Sequence, residues 1–318
     1  MNPLRSGILY LFIILSLILG NLLLMIMEIF FPWAQLPVEM ALSFGEVLIL
    51  IPLLLLTAFF KVDIRDTFRI KRVRIPTLIL VIPFTFMLYP IIGACNAFTL
   101  IFTDNVVVSA SQTIRSLPFA VTFFIMSLFG PFTEEITFRG AEYAGLKSNG
   151  NIRTAILVQA LMFGLMHLNL NQFLYAFVIG IAFGVLSEVT GSVLPGFFAH
   201  AIINGTSTVS IYITENIEAS SAQLSKTEAL AALQIYSVAA VFTTTIAVLL
   251  LFLIASLENG GRERLVRILR PVRRHRVMAD GNYVEARAGK VFSIPALAGM
   301  TLASAVVIMT LVLELLKK

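Results

Sequence analysis

Apolar runs of about 20 residues, the length at which a helix rising 1.5 Å per residue crosses a bilayer, recur along the whole chain. They fall at 7–31, 42–60, 77–101, 117–138, 153–168, 172–188, 193–213, 229–257 and 291–316, with short polar stretches between them. The pattern predicts an all-α, polytopic integral membrane protein with about nine (eight to nine) transmembrane helices packed as a bundle. The first run is too long for a signal-peptide core and lacks a small-x-small cleavage site, so it reads as a retained span. Phe30, Phe31 and Trp33 at its end have the character of an interfacial aromatic belt. The run at 153–168 is short for a span and is expected to stop part-way or to lean on its neighbours.

Composition narrows the class further. Of 318 residues only 13% are charged and 58% are hydrophobic, against roughly 25% charged in soluble domains. A soluble fold of this length cannot hide so much apolar surface, and disorder requires the opposite composition. Cys95 is the single cysteine, which excludes an intrachain disulfide and a cysteine-based zinc cluster.

Charge placement tests the segmentation. With Arg139 set aside, 18 of the 23 Lys and Arg fall in alternate loops: Arg5, six within 61–76, Lys147 with Arg153, and nine within 258–290. Arg115, Lys226, Lys317 and Lys318 lie in the others. The positive-inside rule places the N-terminus in the cytoplasm and the C-terminus outside, after an odd number of crossings. The net charge of +5 is therefore assigned to anionic lipid headgroups at the basic loops, and no nucleic-acid partner is expected. The stretch 262–276 alternates arginines with Leu265, Val266, Ile268 and Leu269 and reads as an amphipathic segment on the inner leaflet. Linkers, low-complexity tracts and repeats do not break the chain into separate domains.

Ionised groups at a bilayer centre cost at least about 2.5–3.5 kcal/mol each, so those within spans ask for a reason. Glu46, Glu188 and Glu314 lie near predicted span ends and read as interfacial. Three other places do not. In Pro131-Phe-Thr-Glu134-Glu135-Ile-Thr-Phe-Arg139-Gly140, Glu135 and Arg139 have the i,i+4 order of a helical ion pair and read as structural support. Glu134 has Thr137 and Phe138 at i+3 and i+4, which leaves it without a local partner and suited to accept a proton. Phe163-Gly-Leu-Met-His167 and His200-Ala-Ile-Ile-Asn204 each put two side chains on one helical face. The turn at 148–151 lies between Glu134 and His167 at nearly equal distances along the chain. On antiparallel helices the two come to similar depth, roughly 20–25 Å from the turn. Gly180 and Gly184 form a small-xxx-small packing face.

The motifs Glu-Glu-x-x-x-Arg, Phe-x-x-x-His and His-x-x-x-Asn, in that order within polytopic helices, resemble the CAAX-protease and bacteriocin-processing (CPBP, or Abi) family, which includes the eukaryotic Ras-converting endopeptidase. The resemblance covers about 115–210. It implies a catalytic core over 115–212, flanked by N-terminal transmembrane helices (1–114) and by C-terminal ones with the basic loop 258–290 (213–318). It also implies hydrolysis of a peptide bond within the membrane, on a peptide or membrane-protein substrate. Glu134 and His167 would activate a water, while His200 and Asn204 would donate to the oxyanion, with Glu135, Arg139 and Phe163 in support. Asn is a poor zinc ligand and no His-Glu-x-x-His is present, so a glutamate-dependent mechanism without a cofactor is favoured. A zinc site on Glu134, His167 and His200 is the alternative. The resemblance points to a bacterial plasma membrane. The competing functions are a non-catalytic scaffold or bacteriocin-immunity protein and, less favoured, a proton-coupled transporter. Neither substrate identity nor oligomeric state is legible.

Overall fold

The computed structural model describes residues 1–34, 36–148, 151–213, 225–269, 275–277, 283–285 and 291–317. They form twelve helices: α1 (Pro3–Phe30), α2 (Val38–Phe59), α3 (Ile64–Phe68), α4 (Ile75–Leu100), α5 (Val106–Arg115), α6 (Phe119–Lys147), α7 (Ile152–Leu165), α8 (Leu170–Thr190), α9 (Leu194–Ile213), α10 (Lys226–Leu257), α11 (Gly261–Leu269) and α12 (Ile294–Lys317). A two-stranded antiparallel ribbon, β1 (His275–Val277) with β2 (Tyr283–Glu285), is the one departure from an all-helical fold among the described residues. The rest of the basic loop that the sequence marks at 258–290, apart from α11 and that ribbon, lies largely outside them, as does the centre of the turn at 149–150.

Seven helices are long and apolar enough to cross a membrane: α1, α2, α4, α6, α8, α10 and α12. The chain is an integral membrane protein. Two of the nine expected spans are not among the seven. The helix α7, at 14 residues, is short, as its apolar run predicts. The helix α9 has 20 residues but spends them partly on His200, Asn204, Thr206, Ser207, Thr208 and Ser210, so its lipid-like character is diluted.

Helix starts are locally encoded. The side chains of Asn2, Asn151 and Asn169 cap α1, α7 and α8, and Ser225 with Glu228 forms a capping box at α10. Close packing then follows from small residues. A Cβ at Gly180 would lie 3.0 Å from the Ala160 backbone, and one at Gly184 2.6 Å from Gln159 Nε2. The small-xxx-small face therefore packs α8 onto α7 within the chain, where Gln159 Nε2 also donates to the Gly180 carbonyl at 2.9 Å.

Contacts between loops define two ends of the bundle. At one, Arg69 Nη2 donates to the Ser187 carbonyl (2.9 Å), Arg74 Nη2 to Asn259 (3.0 Å), Ser192 to the Lys71 carbonyl (2.6 Å) and Arg264 Nε to the Val189 carbonyl (3.0 Å). The described parts of the loops at 61–76 and 258–269 are thus assembled into one face with the end of α8. At the other end, the Asp104 amide donates to Glu314 (3.2 Å) and Arg115 Nη2 to the Tyr212 carbonyl (3.0 Å). Arg5 lies at the first end, over the Phe60 ring, and Glu314 at the second, so the two ends of the chain lie on opposite faces. The helix α11 docks on the bundle through Leu265, which is buried, while the part of the predicted amphipathic segment at 270–274 lies outside the described residues.

Candidate active site

The helix α6 is the spine of the site and is not a uniform α-helix. Residues Phe124–Phe129 and Ile136–Glu142 wind as π-helical turns, with Gly130–Glu135 as α-helix between them. Such turns recur at functional sites because they re-aim side chains and leave carbonyls for other donors. Here Asn204 Nδ2 donates to the Met126 carbonyl at 3.0 Å, and Ser127 shares a 3.1 Å hydrogen bond with Thr208. These contacts fasten α9 to the first π turn.

Glu134 and Glu135 both point inward, 7% and 0% exposed, although adjacent positions on an ideal helix diverge by about 100°. Glu135 Oε1 lies 2.9 Å from Arg139 Nη1, the ion pair that the spacing predicts. It also lies 3.1 Å from His200 Nδ1, a tertiary contact that spacing cannot show. Glu134 Oε2 lies 3.5 Å from His200 Nε2, so the two nitrogens of one imidazole face the two carboxyls.

Phe163 is the hub of this cluster. Its ring carries the Arg139 guanidinium at 4.0 Å and meets His167, His200 and Phe138 edge-on at centroid distances of 5.4, 5.9 and 5.4 Å. A desolvated cation over an aromatic face contributes about 2 kcal/mol, which helps hold a fully buried arginine. His167 does not lie inside a helix. It sits in the turn after α7, followed by Leu168 in the left-handed region at φ 57, a conformation a branched side chain adopts at a cost of about 1–2 kcal/mol. Asn169 secures the turn by donating to the His167 carbonyl at 2.8 Å and capping α8 through Gln172 N.

Glu134 and His167 line one cavity of about 600 Å³. Its walls are mostly apolar and come from α1 (Leu17, Leu22, Met25), α2 (Ile49) and α12 (Val306, Met309). Leu22, Met25 and Met309 are also exposed on the outside of the bundle, so the cavity opens sideways toward lipid. Asn204 lines a different cavity, also of about 600 Å³, with Asn96, Asn171, Gln172 and Tyr175. The structure therefore brings Glu134, Glu135, Arg139, Phe163, His167 and His200 together, and sets Asn204 one turn of α9 beyond His200, against Met126.

Two sequence expectations need correction or detail here. Glu188 is at a bundle end but is not interfacial in the sense of facing water: it is 1% exposed and held by Lys147, Arg69 and Tyr143. Glu46 is no headgroup residue at all. It lies on α2 and lines the cavity of Glu134 and His167. The span-end argument misplaced it because α2 begins at Val38, one turn before its apolar run.

Among the described residues, no three His, Cys, Asp or Glu side chains gather as metal ligands. The nitrogens of His200 face the Glu135 and Glu134 carboxyls at 3.1 and 3.5 Å, and no step below is routed through a metal ion.

Residues 116–206 match the family model described as Type II CAAX prenyl endopeptidase Rce1-like. This is the family that the three motifs resemble, and the matched segment holds every motif residue. It supports an intramembrane endopeptidase function. No curated protein and no solved structure matches the chain. The cavity walls from α1, α2 and α12, Glu46 included, lie outside the matched segment.

Proposed function

We propose that this protein is a glutamate-dependent intramembrane endopeptidase. Glu134, oriented together with His167, takes a proton from a water that attacks the scissile carbonyl. His200 and Asn204 donate to the oxyanion, a contribution of about 3–4 kcal/mol per donor in well-placed sites. The observation that carries this reading is the shared cavity: a carboxyl and an imidazole lie at the base of an apolar chamber that opens toward lipid. Such a chamber suits an unwound apolar segment of a peptide or membrane-protein substrate. For the oxyanion, His200 offers Nε2, which lies 3.5 Å from the proposed base Glu134, since Nδ1 is taken up by Glu135 at 3.1 Å. Asn204 offers its second amide hydrogen, the first being held by Met126. Glu135, Arg139 and Phe163 fix the ring of His200 and the second π turn. The basic end of the bundle lies on the cytoplasmic side, where its arginines and lysines meet anionic headgroups.

The test is cleavage of a set of internally quenched apolar peptides by the purified protein in liposomes. Glu134→Ala and His167→Ala each lower turnover by about 10²–10⁴-fold, the range of general acid–base catalysis. Full activity in either variant refutes the mechanism, and a scaffold or transport role would then account for the fold. Activity that is lost on chelation and restored only by zinc refutes the metal-free form.

A further inference from the structure

We propose that Glu46 is the acid of this site, protonating the amine that leaves when the peptide bond breaks. The inference rests on the endopeptidase reading above and adds a residue from outside the motif-bearing segment.

Depth places Glu46 opposite Glu134. Each stands 13 residues before its helix end at the basic face, Phe59 for α2 and Lys147 for α6, or about 20 Å at helical rise. The two helices approach through Gly130, where a Cβ would lie 3.1 Å from Glu46 Oε1. Both carboxyls line the same cavity, with His167 beside them.

Glu46 also differs from the other carboxyls in the bundle interior. Glu134 has His200, Glu135 has Arg139 and His200, Glu142 has Ser6, and Glu188 has Lys147, Arg69 and Tyr143. Glu46 has no hydrogen bond or ion pair to any described residue: its Oε2 is buried without a partner, as are Glu135 Oε2 and Glu142 Oε1, but in those two the other oxygen is held. A carboxyl at this depth, lining a reaction chamber with no cation to hold it among the described residues, is a structural burden unless the chemistry uses it.

The chemistry has a place for it. Hydrolysis joins the oxygen of water to the carbonyl carbon while one water proton passes to the Glu134 carboxylate. The carbon–nitrogen bond then breaks with its electron pair on nitrogen, and nitrogen takes the proton of the Glu46 carboxyl. Glu134 passes its proton to Glu46 across the cavity, and both groups return to their starting state. Peptide and water become acid and amine, with no other reactant.

The leaving group separates this role from a packing role. The fastest-cleaved peptide of the quenched set is compared with its counterpart carrying an ester at the cleaved bond, since an alkoxide departs with far less need of an acid. Glu46→Gln lowers amide turnover about 10²-fold or more and changes ester turnover by less than about threefold, which also shows that the variant is folded. Glu46→Asp recovers part of the amide activity. Amide turnover within about threefold of wild type in Glu46→Gln, with Glu134→Ala inactive, overturns the role of Glu46 and leaves the endopeptidase reading standing. Equal loss of amide and ester turnover makes Glu46 a structural residue and overturns it too. If the wild-type protein cleaves neither substrate, the endopeptidase reading falls first.

Discussion

Glu188 and Glu134 are both carboxyls buried in the same bundle, and their surroundings differ in kind. Glu188 is saturated. Lys147 Nζ lies 2.6 Å from each of its oxygens, Tyr143 donates at 3.0 Å, and Arg69 stands at 3.4 Å. At the cavity, Glu46 and Glu134 have no cation between them among the described residues, the Arg139 guanidinium being spent on Glu135; Glu134 faces the His200 imidazole at 3.5 Å, and His167 lines the same cavity. The saturated carboxyl ties α8 to α6 and to the chain after α3, at the end where the basic loops meet. In the proposed mechanism the under-partnered ones keep lone pairs and protons free for a substrate. Burial alone therefore does not distinguish a fastener from a reactive group, and neither does partner count by itself, since Glu142 has only Ser6 and does not line the cavity; partners and cavity must be read together.

The largest expected effect sharpens that contrast. Glu134→Gln removes the proton acceptor while keeping its shape. It should lower peptide cleavage by about 10³-fold with an unchanged unfolding midpoint in a thermal melt of the detergent-solubilised protein. Glu188→Gln should do the reverse, leaving turnover within a few-fold of wild type and lowering stability. Breaking a buried pair costs about 3–5 kcal/mol. The Lys147 side chain is 35% exposed, so screening reduces the expected loss to about 1–3 kcal/mol, readable by the same melt. If Glu188→Gln instead abolished cleavage without a change in stability, the division between the two regions would collapse.

A smaller effect tests how closely the site depends on its packing. A Cβ at Gly196 would lie 2.8 Å from Glu135 Oε2, so Gly196→Ala must push that carboxylate and, through it, His200. A displacement of this size near reacting groups can cost up to about 10²-fold. A tenfold or greater fall in kcat is expected, and unchanged kinetics would show that His200 does not depend on Glu135 for its position. The smallest effect concerns the π turn. Ser127→Ala deletes the hydrogen bond to Thr208, and should cost about 1 kcal/mol of stability with little change in turnover.

Much of this was legible in the chain before any folding was considered. All nine apolar runs appear as helices, seven of them long and apolar enough to cross a membrane, because a bilayer demands length and internal hydrogen bonding of any segment that crosses it. The Glu135–Arg139 pair followed from i,i+4 spacing, and the common depth of Glu134 and His167 from equal distances to one turn. The stop of α7 near residue 165 followed from the shortness of its apolar run. What escaped was of another kind. Nothing local announces the π turns of α6, which bring Glu134 and Glu135 to one side and take Asn204 to the Met126 carbonyl. Glu46 belonged to an unremarkable apolar stretch, and only the approach of α2 to Gly130 reveals what it faces. A sharper signal was present: Glu46 and Glu134 are equally far from their basic-end loops.

The sequence by itself determined that this chain lives in lipid, which residues lipid should have excluded, and which loops gather at one face. These follow from transfer free energies and helix periodicity, which act on each segment regardless of its neighbours. Tertiary structure alone decided which excluded residues meet. Whether a buried carboxyl has three partners, as Glu188 has, or none at its Oε2, as in Glu46, depends on side chains far away in sequence. In a medium that supplies no water to stand in for a missing partner, that difference is what separates a bolt from the reactive group proposed here.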